Sequence, residues 1–315
     1  MVLHLVFLGL GLACLLGGGD ALVRGAVALA ARLGVAPVLI GLTVVAFGTS
    51  APEMVVNLLA AWRGSPDLGF GNVVGSNIAN VGLLVMPTAI VAQAAVHRSL
   101  ATRNIPIPVR VSVVVLALGA PQVISEGFGR RDGIILLLIF AGFLAVVTRE
   151  GLSQRAALPG GDGGVRSGSA WTTALLVGGG LVGLVVGAEL TVRGAVGVAT
   201  GLGISEAIIG LTVVAVGTSL PELATSLQSA RRGQADVAIG NVVGSNLFNL
   251  LFIWGTTVTL FPSPLPARGT DDLVVMTAFA AALLLVALRA SKVGRGSGAF
   301  LLAGYVGYVA WLALR

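Results

Sequence analysis

One segment of this chain is written twice. Shifting the sequence by 169 residues lays Ile-Gly-Leu-Thr-Val-Val-Ala at 40–46 on the same heptapeptide at 209–215. The shift also lays Gly48-Thr49-Ser50 on Gly217-Thr218-Ser219 and Pro52-Glu53 on Pro221-Glu222. Gly71-Asn72-Val73-Val74-Gly75-Ser76-Asn77 falls on an identical run at 240–246. About 25 of the 41 positions from 40 to 80 are identical across the shift. Asp20/Glu189 and Arg24/Arg193 carry the match back into the first apolar segment. A repeat of this kind constrains the fold before any element is assigned, because both copies have to build the same unit.

The copies are too apolar for a soluble domain. Hydrophobic residues make up 56% of the chain and charged residues 10%, with a mean hydropathy of +0.99; soluble domains run near a quarter charged. The net charge of +6 is spread between apolar blocks and forms no stripe for nucleic acid. Cys14 is alone, so no internal disulfide follows. His4 and His97 are the only imidazoles, and neither has a second ligand candidate nearby, which weighs against zinc or di-iron. The run from Val2 to Leu16 has no positive residue before it and no small-residue cleavage site after it, so it reads as a membrane helix rather than a signal peptide.

At about 20 apolar residues per crossing, helices are expected near 2–30, 37–61, 69–95, 106–123 and 132–149, and again near 171–200, 206–230, 237–261, 272–290 and 298–314. The expected fold is an all-α integral membrane protein of about ten transmembrane helices. Residues 1–150 form the first five-helix repeat, 151–170 a short Gly- and Ser-rich cytoplasmic linker, and 171–315 the second repeat. Five is odd, so the copies enter the membrane from opposite sides. That is the inverted arrangement of secondary transporters, with a site where the copies meet near the midplane. Loop charge sets the orientation. With the N-terminus outside, Arg32, Arg98, Arg103, Arg149, Arg155, Arg166, Arg231, Arg232, Arg289, Lys292 and Arg295 face the cytoplasm. The other side keeps Arg63, Arg130, Arg131, Arg268 and Arg315. Both termini are therefore expected outside a cell (inner) membrane, with Arg130-Arg131 pulling the other way.

Glu53 and Glu222 lie inside apolar helices, where a carboxylate costs several kcal/mol and marks function by default. One such residue could be a protonated glutamate satisfied by a neighbouring helix; two in identical settings read as ligands. Pro52 has no N–H, so the carbonyl of Gly48 loses its helical partner. Carbonyls from Ala46 to Thr49, and from Ala215 to Thr218 beside Pro221, can then turn toward a ligand. Thr49 and Ser50 share a helical face with Glu53. On the next helix Asn72, Ser76 and Asn80 recur every four residues, as do Asn241, Ser245 and Asn249. Ser76, Asn80, Ser245 and Asn249 read as ligands facing the glutamates. Asn72, Asn77, Asn241 and Asn246 serve equally well as ligands or as helix–helix hydrogen bonds. The inventory is all oxygen, which suits Ca²⁺, Mg²⁺ or Na⁺ and disfavours zinc or copper.

Gly-Thr-Ser-x-Pro-Glu followed by Gly-Asn-Val-Val-Gly-Ser-Asn, present twice in inverted halves, resembles the α-repeats of the cation/calcium exchanger superfamily. The Thr-Ser before Pro-Glu is similar to the prokaryotic-type sodium/calcium exchangers, whereas proton/calcium exchangers tend to carry Gly-Asn there. The resemblance covers the whole ten-helix plan. It implies that Glu53 and Glu222 are the central Ca²⁺ ligands, joined by the carbonyls of Thr49 and Thr218. It also implies that Ala46, Ser50, Ser76 and Asn80, with Ala215, Ser219, Ser245 and Asn249, line Na⁺ sites. Some relatives have Asp where this chain has Asn249, which leaves two carboxylates here and opens the Na⁺ count and any K⁺ dependence. The linker is too short for the regulatory domain of animal relatives, so no calcium sensor is expected.

The function expected is secondary active antiport of Na⁺ for Ca²⁺ by alternating access. An H⁺/Ca²⁺ exchanger or a K⁺-dependent Na⁺/Ca²⁺ exchanger on the same site is the alternative. A channel would need the ligands without coupling. An enzyme would need a nucleophile with its base, or a metal held by histidines, and neither constellation is present; no cofactor is implied. The partners are Ca²⁺, Na⁺ and the lipid bilayer, with no nucleic acid. Asp20 with Arg24 and Glu189 with Arg193 read as structural i,i+4 pairs, and Asp67 and Asp236 as helix N-caps. The glycines at 17–19 and 178–180 suit either sliding of the two long helices or their close packing.

Overall fold

The computed structural model describes residues 2–92, 105–119, 127–156, 169–202, 215–289 and 294–314. Helix stands at each of the ten expected places. In chain order these are α1 (Val2–Leu33), α2 (Pro37–Thr49), α3 (Ala51–Trp62), α4 (Pro66–Gly82), α5 (Val85–Ala92), α6 (Pro106–Gly119) and α7 (Arg130–Ala156). The second copy supplies α8 (Ala170–Gly201), a short turn at Ala215–Gly217, α9 (Leu220–Arg231), α10 (Ala235–Leu260), α11 (Gly269–Arg289) and α12 (Arg295–Leu314). Among the described residues, six helices are long and apolar enough to cross a membrane, and seven if the bent pair α2–α3 is one span. Helix α7 runs to Ala156 and α8 begins at Ala170, so both extend into the expected linker; residues 157–168, where the rest of it falls, lie outside the described residues.

The inversion is visible in how α1 packs on its own copy. Leu8 of α1 lies against Gly194 of α8, Leu15 against Gly187 and Leu22 against Gly180, so the residue numbers run in opposite directions. The backbones nearly touch. A Cβ added at Gly187 would stand 2.7 Å from the Leu15 nitrogen, and one at Gly18 would stand 2.8 Å from the Leu184 nitrogen. Small residues allow this approach where lipid offers no hydrophobic drive for association. Gly17, Gly178 and Gly179 meet nothing within 4 Å, so only part of each glycine cluster serves the contact.

A second link joins the copies at one end of the bundle. β1 (Gly127–Phe128) pairs antiparallel with β2 (Ser263–Pro264), Gly127 opposite Pro264 and Phe128 opposite Ser263. β1 follows the fourth span of the first copy and β2 the third span of the second. Within a single orientation those two loops lie on opposite faces; inversion brings them to the same one.

The larger core gathers α4, α10, α7 and α11 around buried aromatics. Trp254 is fully buried, with ring centroids 5.7 Å from Phe70 and 5.3 Å from Phe128, and Phe140 sits 4.9 Å from Phe248. A smaller apolar cluster, including Leu15, Leu22, Ile40, Val45 and Leu184, joins the α1–α8 pair to α2. The polar site lies where α2, α3, α9 and α10 meet.

Candidate functional site

The same break occurs in both copies. The chain bends by 44° between α2 and α3, with Ser50 at φ −86° and ψ 7°; Ser219, ahead of α9, has φ −89° and ψ 4°. Pro52 and Pro221 follow in the first turn, where a missing N–H costs no helical hydrogen bond. Glu53 and Glu222 therefore sit in the first turns of α3 and α9. The free N–H groups and the positive end of the helix dipole favour an anion there. Both carboxylates are buried, at 1% and 0% exposure.

Hydrogen bonds across the copies assemble the rest. Ser50 Oγ donates to Glu222 Oε1 at 2.9 Å, and Ser245 Oγ donates to the same oxygen at 3.4 Å. Thr49 Oγ1 donates to Asn241 Oδ1 at 3.2 Å and lies 3.5 Å from Ser245 Oγ. Asn241 and Ser245 are one turn apart, so a single face of α10 receives the break of the first copy. The carbonyl of Ala46 accepts from Ser50 N at 3.0 Å and from Thr49 Oγ1 at 3.3 Å.

Asparagines brace the carboxylate-bearing backbone from behind. Asn57 Nδ2 and Asn72 Nδ2 donate to the Glu53 carbonyl at 3.0 and 3.5 Å. In the second copy Asn241 Nδ2 donates to the Glu222 carbonyl at 3.3 Å and to Ser226 Oγ at 3.2 Å. Asn80 Nδ2 donates to Asn246 Oδ1 at 3.0 Å, and Asn246 Nδ2 to the Asn77 carbonyl at 3.4 Å, a direct bridge between α4 and α10. The asparagines left open by sequence thus make helix–helix and backbone hydrogen bonds here. Asn57 and Ser226 went unnoticed because the shift pairs different residue types at that position, and a search for identity passes over them.

Several buried polar atoms have no protein partner: Glu53 Oε2, Glu222 Oε2, Ser219 Oγ, Asn80 Oδ1, and both Oδ1 and Nδ2 of Asn249. Unpaired carboxylate and amide oxygens in a dry interior cost free energy, and a bound hard cation would supply what they lack. The expected residues Thr49, Ser50, Ser76, Ser245, Asn80, Asn249 and Ala46 are all buried; Thr218 is half-buried. Ala215 opens the short turn before Ser219. Its upstream neighbours 203–214, where the copy of α2 was expected, fall outside the described residues.

Two readings of surface charge need correction. Asp20 does not pair with Arg24 but with Arg232, beyond the end of α9, while Glu189 does pair with Arg193. Asp67 and Asp236 are not caps. Ser65 and Gln234 hold the cap positions, without side-chain cap bonds, and the aspartates lie in the first turn, where the helix dipole favours acid.

Comparison with known proteins matches residues 3–149 and 172–314 to the family model described as sodium/calcium exchanger protein. The putative antiporter CaxA of Alkalimonas amylolytica is 35% identical over 322 residues, covering 98% of each chain. The inner membrane protein YrbG of Escherichia coli (strain K12) is 35% identical over 329 residues, covering 100% of this chain and 97% of its own. The sodium/calcium exchanger MaX1 of Methanosarcina acetivorans is 30% identical over 348 residues, covering 98% of each. Among solved structures, the sodium-calcium exchanger NCX_Mj soaked with 100 mM Na⁺ and 10 mM Sr²⁺ superposes with a TM-score of 0.85 at 33% identity, over 98% of both chains.

Proposed function

Because this chain belongs to the sodium/calcium exchanger family, a family of multi-pass membrane cation antiporters, we propose that it exchanges Na⁺ for Ca²⁺ by alternating access at the Glu53–Glu222 site. The observation that carries this reading is the pair of buried carboxylates, each with an unpartnered oxygen, set among neutral oxygens that also lack partners. Glu53, Glu222 and the carbonyls of Thr49 and Thr218 would hold Ca²⁺. Ala46, Ser50, Ser76 and Asn80, with Ala215, Ser219, Ser245 and Asn249, would line the Na⁺ positions.

Charge supplies the coupling. With both carboxylates ionised the unloaded site holds −2 in a low dielectric, and carrying it through the switch is costly. One Ca²⁺ or at least two Na⁺ neutralises it, and the two loads compete for the same oxygens. Competition, with the unloaded transit suppressed, gives exchange instead of leak. Protons would need the carboxylates alone, so the neutral oxygen shell supports a second metal cation.

The N- and C-termini would face outward and the 151–170 segment the cytoplasm, as the arginine bias supports; the E. coli relative is named an inner membrane protein. The deciding experiment is ⁴⁵Ca²⁺ uptake into proteoliposomes loaded with Na⁺, K⁺ or acid buffer. Uptake driven by internal Na⁺, with external Na⁺ competing, is the expected result. Full uptake driven by a pH gradient, with Na⁺ adding nothing, would assign the site to H⁺/Ca²⁺ exchange.

A further inference from the structure

Besides Asp67/Asp236 in the first turns of α4 and α10, three charged positions recur under the 169-residue shift outside the cation site: Asp20/Glu189, Arg24/Arg193 and Arg63/Arg232. Each carboxylate therefore has two arginines within its plan. One is a turn further along its own helix, and the other follows the short helix after the break in the opposite repeat. The two copies use them differently. Asp20 of α1 is held by Arg232, whose Nε stands 2.5 Å from Oδ1 with Nη2 on the same oxygen. Glu189 of α8 is held by its local Arg193, Nε to Oε1 at 2.5 Å. Among the described residues, neither Arg24 nor Arg63 makes an ion pair.

Packing differs in the same sense. α1 lies along α9: a Cβ at Gly19 would stand 3.1 Å from the Ala224 carbonyl oxygen, and Gln228 Nε2 donates to the Leu16 carbonyl at 3.1 Å. Ala224, Gln228 and Arg232 follow at intervals of four and make one stripe along α9 and its C-cap. Their counterparts along α3 and its C-cap are Val55, Leu59 and Arg63. That stripe is uncovered, with Val55 at 57% and Leu59 at 40% exposure against 6% and 8% for Ala224 and Gln228. α8 makes no extended contact with α3.

We propose that Asp20 and Glu189 are alternating catches of the transport cycle. In the conformation seen here Asp20–Arg232 holds α1 across α9. In the opposite conformation Glu189–Arg63 holds α8 across the Val55–Leu59 stripe of α3, and Asp20 falls back on Arg24. The backbone-close contact between α1 and α8 makes them move together, so fastening one catch releases the other. Two ion pairs exist in either state, and the exchange therefore leaves the end states balanced. Partly exposed pairs are weak, which suits a contact that must open every cycle. This inference rests on the alternating-access antiport proposed above.

Two measurements test it, in a Cys14→Ser background where cysteines are introduced. First, Arg63→Cys with Glu189→Cys, and separately Asp20→Cys with Arg232→Cys, are treated with a short, reducible bifunctional thiol reagent. Both pairs should be bridged, and each bridge should stop exchange until the linker is reduced. Bridging of 20 with 232 but never of 63 with 189 overturns the proposal. Because bridging is read on the protein itself, it decides the catch even if the transported ions prove different. Second, Asp20→Asn and Glu189→Gln are compared in vesicles assayed from each face, with Asp20→Glu as the charge-retaining control. Asp20→Asn should tighten apparent Ca²⁺ affinity about two- to five-fold on the face where α9 ends and weaken it on the other. Glu189→Gln should do the reverse. Shifts in the same direction, or none in a protein that still exchanges, overturn the catch and leave the antiport reading standing.

Discussion

Ser50 of the first repeat donates its hydroxyl hydrogen to Glu222 of the second at 2.9 Å, while the hydroxyl of Ser219, its copy, is buried without a partner. The two serines are equivalent in sequence and in backbone conformation, so the difference comes from the arrangement of the repeats around them. A hydrogen bond to a charged group contributes roughly 1.5–3 kcal/mol. Ser50→Ala should therefore lower stability by about that amount, and Ser219→Ala by less than about 0.5 kcal/mol. Thermal unfolding in detergent without Na⁺ or Ca²⁺ would measure this, and equal losses would contradict the assigned geometry.

Glu53→Gln and Glu222→Gln should each reduce Ca²⁺ transport by at least about a hundredfold, since each removes one of two central charges on a divalent ion. Folding should survive, because an amide is cheaper to bury than a carboxylate. Uptake of ⁴⁵Ca²⁺ alongside size-exclusion profiles would check both parts. Near-normal flux in either variant would remove the basis of the proposed site.

The Na⁺ positions predict a different split. Ser50→Ala and Ser219→Ala should weaken Na⁺ dependence several-fold more than Ca²⁺ binding, because Ca²⁺ is held chiefly by the two glutamates. Titrating external Na⁺ against a fixed Ca²⁺ concentration reads this directly. A change confined to Ca²⁺ affinity would move the serines into the Ca²⁺ shell.

The α1–α8 contact should separate glycines that look alike in sequence. Gly187→Leu would drive a side chain into the Leu15 backbone and should cost about 3 kcal/mol or leave no folded protein. Gly17→Ala and Gly179→Ala meet open space and should be neutral or gain up to about 1 kcal/mol of helix propensity. Melting temperatures of the three variants decide it.

Orientation is open to labelling. With Cys14 replaced, a cysteine at the exposed Ser153 should react with a membrane-impermeant reagent only after the cytoplasmic face is opened. Reaction in intact cells would reverse the proposed orientation without touching the fold.

The sequence by itself determined the repeat, its odd number of spans and hence the inversion, because identical local sequences have to build identical units and an odd unit flips its successor. It also picked out Glu53 and Glu222 and the breaks before them, since a buried carboxylate and a proline in an apolar helix stand out without knowledge of neighbours. Tertiary structure alone decided what joins the copies. Asn80 bridging to Asn246, Thr49 reaching Asn241, and Asp20 choosing Arg232 over Arg24 all link residues at least 166 positions apart. A local pattern cannot rank such partners, because an i,i+4 neighbour is always present to compete. The inequality of the copies was likewise out of reach. A repeated sequence specifies two equal halves, whereas α1 covers the stripe of α9 and that of α3 is left bare.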